Sequence, residues 1–218
     1  MRLLTILSVL ALSASALAGP SIVGSMNGWD PADPAMDLTL NANGVWELTI
    51  FLTAGFHEYK AVDGDAWGAD FPFSNQSFTL AADGNVTFLV NLGLNVGVKE
   101  GDEYVTHQNP VIAGDFLSQV GGTDWAPWDH AGEMTDNGDG TYTLSVLLTA
   151  GTYQGKATFN DNWDQDTVGG GLNEEFCSNG NEPNVFTYNM ATNYLTITSC
   201  QGVANEQADW GALKSLYR

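Results

Sequence analysis

The chain repeats itself. Sliding the sequence by 96 residues sets Trp29 on Trp125, Asn41 on Asn137, Gly44 on Gly140, Leu48 on Leu144, Lys60 on Lys156 and Trp67 on Trp163. The same shift sets Thr53-Ala54-Gly55 on Thr149-Ala150-Gly151, with no gap between the first tryptophan and the last. Upstream, Val23-Gly24-Ser25 answers Ala113-Gly114-Asp115 at an offset of 90. The second copy therefore carries 96 − 90 = 6 extra residues, around 120–124. Such a chain folds as two like units of about 90 residues each, and whatever one unit is, the other is as well.

The local pattern inside each copy is that of a strand. Trp46, Leu48, Ile50 and Leu52 alternate with Val45, Glu47, Thr49 and Phe51, and Tyr142, Leu144, Val146 and Leu148 repeat the alternation. A period of two buries one face of a strand and leaves the other to solvent. The turns just before, 41–44 and 136–140, supply the Asn, Asp and Gly that left-handed backbone positions require. Further strands are expected at 56–62, 77–80, 86–91, 152–159, 185–189 and 194–198. Short strands separated by turn chemistry predict an all-β chain of two tandem immunoglobulin-like antiparallel β-sandwiches. The boundaries read as module 1 over 19–93, a linker over 94–109, module 2 over 110–200 and a C-terminal tail over 201–218.

The first 18 residues read as a signal peptide. Arg2 precedes an apolar run from Leu3 to Leu12, and Ala16-Leu17-Ala18 supplies a small-residue cleavage site. The run is too short to cross a bilayer. The expected location is outside the cell or on its surface, with no membrane span. Charge narrows the ligand. The chain holds 6 basic and 26 acidic residues, a formal net charge of −20. Such a surface repels nucleic acid and other anions and leaves a neutral ligand as the best fit. The two cysteines, Cys177 and Cys200, read as one disulfide in an oxidising compartment, since two isolated thiolates cannot complete a zinc shell.

Two lysines lie within the repeats, Lys60 and Lys156, at equivalent positions and each seven residues before a tryptophan. Trp29, Trp67, Trp125 and Trp163 sit in stretches rich in Asn, Asp and Gly rather than in alternating strands. An exposed indole offers a flat apolar face to the CH-rich side of a pyranose, and a nearby Lys or Asn can bond its hydroxyls. Trp128 competes with Trp125 for the first aromatic role in the second copy. The turn at 136–140 reads as a plain hairpin rather than a calcium loop, lacking the ligand spacing and the closing Glu. Asp161, Asp164 and Asp166 form a somewhat better cation candidate, though a solvated loop is favoured; no metal or cofactor is expected. The histidines (His57, His107, His130) are scattered with no nucleophile motif around them, so no catalytic residue is assigned.

These residues resemble a known family. Gly24-Ser25-Met26-Asn27-Gly28-Trp29, Ala54-Gly55-Phe56-His57-Glu58-Tyr59-Lys60 and Val62-Asp63-Gly64-Asp65-Ala66-Trp67 are similar to the glycogen- and starch-binding modules related to carbohydrate-binding family 48. The second copy, with Ala113-Gly114-Asp115-Phe116, Ala150-Gly151-Thr152-Tyr153 and Asn160-Asp161-Asn162-Trp163-Asp164, resembles the X25 modules that accompany pullulanases. The resemblance implies an early-set immunoglobulin-like sandwich and an α-glucan or related neutral polysaccharide as partner. It implies sugar contact for Trp29, Lys60 and Trp67, and for Trp125, Lys156 and Trp163. The second copy departs from the pattern where Gly155 replaces a tyrosine. The function expected is non-catalytic carbohydrate binding; the alternative is a structural or interaction protein of the cell surface whose modules act as spacers. The tail carries Trp210, Leu213, Leu216 and Tyr217 at helical spacing, read as a short C-terminal helix or as a docking peptide for a surface or secretion partner.

Overall fold

Repetition in the sequence becomes repetition of strands. The computed structural model describes residues 19–92, 104–163, 173–198 and 200. Among them the first copy holds β1 (Pro20–Gly24), β2 (Thr39–Leu40), β3 (Trp46–Leu52), β4 (Gly55–Asp63), β5 (Asp70–Leu80), β6 (Gly84–Asn91) and β7 (Tyr104–Thr106). The second holds β8 (Val111–Gly114), β9 (Thr135–Asp136), β10 (Thr141–Val146), β11 (Gly151–Thr158), β12 (Glu174–Ser178), β13 (Asn184–Asn189) and β14 (Tyr194–Thr198). Each copy makes a three-stranded sheet, β1-β4-β5 or β8-β11-β12, and a four-stranded one, β2-β3-β6-β7 or β9-β10-β13-β14. Every strand pair is antiparallel. The result is two tandem β-sandwiches, as the alternating pattern required.

The register repeats as well. Gly24 faces Tyr59 and Val23 faces Lys60 across β1 and β4, while Gly114 faces Gly155 and Ala113 faces Lys156 across β8 and β11. Leu52 is buried, with Trp46, Leu48 and Ile50 packed against the same first core; Tyr142, Val146 and Leu148 are buried in the second. The turn at 136–140 is a hairpin whose carboxylates bond backbone: Asp136 Oδ1 accepts from Gly138 N at 2.7 Å and Asp139 Oδ1 from Thr141 N at 3.0 Å. Cys177 and Cys200 form a disulfide across a sequence separation of 23, a closure worth about 3 kcal/mol in the chain-entropy account.

One strand falls where the sequence reading placed a linker. Tyr104–Thr106, inside 94–109, pairs with β6 through Leu89–Thr106, Val90–Val105 and Asn91–Tyr104. It stands in the first sandwich where β14 stands in the second. The signal segment 1–18, residues 93–103, and the tail 201–218 with its expected helix lie outside the described residues.

β7 also joins the two copies. The Tyr104 ring belongs to the second core, stacked on Phe159 at 5.1 Å, and its hydroxyl donates to Met190 O at 2.9 Å. Val45 of the first copy is buried in that same core. The polar half of the contact is centred on Asn160, which is buried just after β11. Its Oδ1 accepts from Tyr59 Oη (3.3 Å), Thr106 Oγ1 (3.0 Å) and His107 N (3.3 Å). Its Nδ2 donates to Gln76 Oε1 (3.2 Å) and Val105 O (2.8 Å). All five partners come from the first copy. Asn160 and Asp161 both have left-handed backbone, φ 55° and 57°, a conformation Asn and Asp tolerate better than most residues.

Two outcomes follow for stability. Asn160→Ala strips five interface bonds from a buried setting, so urea unfolding should show a loss of about 3 kcal/mol; a loss below about 1 kcal/mol contradicts the arrangement. Burial lowers the His107 pKa from 6.5 to about 4, the hydrogen bond to Asn160 opposing it. The unfolded chain binds this proton at higher pH than the folded one. Stability is therefore full above about pH 6.5 and falls as the pH drops towards about 4, by up to about 3 kcal/mol. Unfolding curves of wild type minus His107→Gln across pH 4–8 should show this slope, and a flat difference would contradict it.

Candidate functional site

The first tryptophan of each copy closes the turn that follows the first strand. Trp29 N donates to Gly24 O and Trp125 N to Gly114 O, both at 2.9 Å. In the first copy Asn27 braces the turn, its Oδ1 accepting from Gly24 N at 3.0 Å and its Nδ2 donating to Asp30 O at 2.7 Å. The six extra residues of the second copy are absorbed between these fixed ends, where a short 3-10 turn spans Leu117–Val120. Trp29 and Trp125 both have left-handed backbone, φ 65° and 57°. A bulky residue there costs about 1–3 kcal/mol, a strain that clusters at ligand clamps and that glycine would relieve. Each copy keeps an indole instead. Both rings are half-buried, while Trp128 is more exposed at 60%.

The second tryptophan of the first copy sits on the β4–β5 connection. Trp67 is 49% exposed. The ladder places the Trp29 turn beyond the Gly24–Tyr59 rung and the Trp67 turn beyond the Pro20–Asp63 rung, about 13 Å apart along the strand. Lys60 is one rung in from the Trp29 turn. The residue is only 8% exposed, its ammonium paired with the Asp70 carboxylate and donating to Phe73 O at 3.0 Å. The Lys60 hydrogen bond is the main reason the Asp70 carboxyl titrates below its usual value. The pairing of β4 with β5 jumps from Tyr59–Gln76 to Ala61–Phe71. Residues 72–75 thus bulge out opposite Lys60, which ties the bulge down. Phe73, 97% exposed, is carried on it. The sequence reading missed Phe73, for the bulge that lifts it out is a register event without a sequence motif.

In the second copy Lys156 does something else. Its Nζ lies 5.3 Å from the centre of the Trp163 ring, a cation–π distance. Trp163 is 36% exposed, less than Trp67. The structure therefore brings Lys156 and Trp163 together, whereas Lys60 is engaged by Asp70 and the Phe73 carbonyl. Among the described residues no group of three His, Cys, Asp or Glu is arranged to hold a metal ion. Asp161 is described; Asp164 and Asp166 lie outside the described residues.

The doubled register agrees with what comparison with known proteins finds. The family profile of the pullulanase X25 domain matches twice, over residues 15–95 and 109–195. The chain belongs to the pullulanase X25-domain family. An amylopullulanase of Thermoanaerobacterium thermosulfurigenes is 31% identical over 141 residues, which is 61% of this chain and 8% of that enzyme. The solved structure of the pullulanase from Bacillus acidopullulyticus matches at 29% identity and a TM-score of 0.39, covering 41% of this chain and 11% of that one. The chain thus spans about a tenth of the length of these relatives.

The second X25 domain shows how it does without a tyrosine. At Gly155, the counterpart of Tyr59, an added Cβ would meet Phe116 Cε1 at 3.2 Å and Ala113 O at 3.3 Å. Phe116 is fully buried there, stacked on Phe186 at 5.4 Å and edge-on to Phe176 at 5.5 Å. Glycine and phenylalanine are thus one unit. Gly155→Tyr should cost about 1–3 kcal/mol or more by overpacking, and Phe116→Ala about 3–5 kcal/mol by cavity formation. Together they should cost less than the sum; strictly additive losses in thermal unfolding would break the link.

Proposed function

We propose that the protein is an exported, non-catalytic α-glucan-binding protein whose X25 modules hold neutral polysaccharide on exposed aromatic side chains. The observation that carries this reading is that two exposed rings, Trp67 and Phe73, sit on the one β4–β5 hairpin, whose bulge at Phe73 a buried lysine ties down. Exposed rings set on a rigid strand pair stack on sugar at little entropic cost. Trp29 in the first module and Trp125 and Trp163 in the second are assigned the same sugar-stacking role. Lys60 acts by fixing the bulge, and Lys156 by fixing the Trp163 ring. The net charge of −20 favours a neutral glycan over an anionic one. The pullulanase relatives favour an α-glucan, and a signal segment at 1–18 fits delivery to such a substrate outside the cell.

A second reading has its own observation. The Asn160 and Tyr104 contacts weld the modules together, as a rigid spacer or assembly unit of the cell surface would need. A pull-down on insoluble starch, with cellulose alongside, separates the two. Wild type should be retained by starch, and Trp67→Ala with Trp163→Ala should weaken retention by at least about fivefold, each lost ring removing about 0.5–1.5 kcal/mol. Phe73→Ala should weaken retention without lowering thermal stability, because its ring is exposed. Equal retention of the double variant would overturn the sugar-face assignment and favour the spacer.

A further inference from the structure

Phe56 is 62% exposed near the start of β4 and takes no part in the first core. Packing does not require a ring there, for the 96-residue shift sets Thr152 on it and the second sandwich closes without one. A single exposed ring on a protein surface means little. This one shares its face with others. Side chains alternate along a strand, and on β4 His57 and Tyr59 are buried towards the core. Phe56, Glu58 and Lys60 therefore point to the opposite face of the sheet. Lys60 is the residue that ties down the 72–75 bulge through Phe73 O, so Phe73 is carried over that same face.

The ground between the two rings is polar. Phe56 faces Thr79 and Glu58 faces Ser77 across β5, and directly opposed residues of an antiparallel pair stand on one side of the sheet. Two hydroxyls and a carboxylate thus lie between Phe56 and the bulge, groups that bond sugar hydroxyls and that an anionic ligand would meet as repulsion. On the other flank Ser25 N donates to Glu58 O at 2.9 Å, and Ser25 Oγ accepts from Glu58 N at 3.2 Å. The turn that carries Trp29 is therefore fastened to β4 at the Phe56 end. Phe56 lies about 13 Å along the strand from Lys60 and about 23 Å from Asp63, next to the Trp67 turn. Trp67, Phe73 and Phe56 follow one another along a single rigid strand pair. A ligand that touches all three is an extended chain, and its contacts reinforce one another through effective concentration.

We propose that Phe56 is a further sugar-stacking residue of the first module, which extends the aromatic face along β4 and selects long glucan chains over short ones. The proposal rests on the glycan-binding reading and adds a length preference, which the second module, with Thr152, lacks. The test is calorimetric titration of the full chain with maltotriose and with maltoheptaose. The parent is Trp163→Ala, so that the first module dominates the heat, and Phe56→Ala, Phe56→Tyr and Trp67→Ala are compared in it. Phe56→Ala should lower maltoheptaose affinity by about threefold or more, while maltotriose affinity and the thermal midpoint stay at the parent's values. Phe56→Tyr keeps the ring and should bind as the parent does. Trp67→Ala should weaken both sugars. Maltoheptaose affinity unchanged in Phe56→Ala overturns the extension, as does an equal loss for both sugars or a loss in Phe56→Tyr as large as in Phe56→Ala. The two readings fail differently. If the parent binds neither sugar, the glycan-binding reading falls and takes the extension with it. If the parent and Phe56→Ala bind maltoheptaose alike while Trp67→Ala does not, only the extension falls.

Discussion

The relative placement of the two sandwiches depends on one buried amide. A primary carboxamide has two donor hydrogens and a carbonyl with two lone pairs, each with a direction. Asn160 spends them all on the first module: on Tyr59, Thr106 and the His107 amide through its oxygen, on Gln76 and the Val105 carbonyl through its nitrogen. An apolar contact can slide; a saturated amide in a buried setting cannot, because each lost bond exposes a polar group to a low-dielectric surrounding. The left-handed backbone at Asn160 and Asp161 aims the side chain across the boundary. Tyr104 stacked on Phe159 and Asn91 donating to Ala191 O at 3.2 Å then fill in around it.

Much of this fold was legible in the sequence and part of it was not, for identifiable reasons. The strands β3 and β10 declared themselves because one-sided burial forces apolar residues to alternate, and the repeat made each strand testify for its counterpart. β7 left no such trace. Three residues, Tyr104-Val105-Thr106, are too few for a period, and all three are buried, so nothing alternates; the long-range ladder to β6 is what makes them a strand. Asn160 misleads for a related reason. An Asn-Asp-Asn stretch has the composition of a solvated turn, and only the arrival of the other module turns it into a buried hub.

The candidate site was legible as a set of residues but not as a geometry. Spacing marked Lys60 and Lys156 as equivalent, and the identical register bears that out. It could not show that one ammonium is committed to a bulge and the other to an indole, because the bulge at 72–75 is a register event that leaves no motif in the sequence. The missing tyrosine of the second module is similar. Gly155 alone reads as a loss. Beside Phe116 it is an exchange, one ring from β4 replaced by another from the loop after β8.

That exchange makes the modules unequal in a directed way. Tyr59 uses its ring in the first core and its hydroxyl at the boundary, 2.8 Å from His107 Nδ1 and within reach of Asn160. Phe116, which fills the matching space, has no hydroxyl to offer. The first module therefore presents a polar socket and the second the amide that enters it. A pair fixed in this way has a defined separation between its aromatic faces. Two weak sites on a rigid body gain from one another only when a ligand can span that separation, and gain nothing otherwise. For the proposed glycan-binding role, rigidity thus sets a condition on the polymer rather than on the single sugar, which an extended, repeating chain would satisfy where a short oligosaccharide would not.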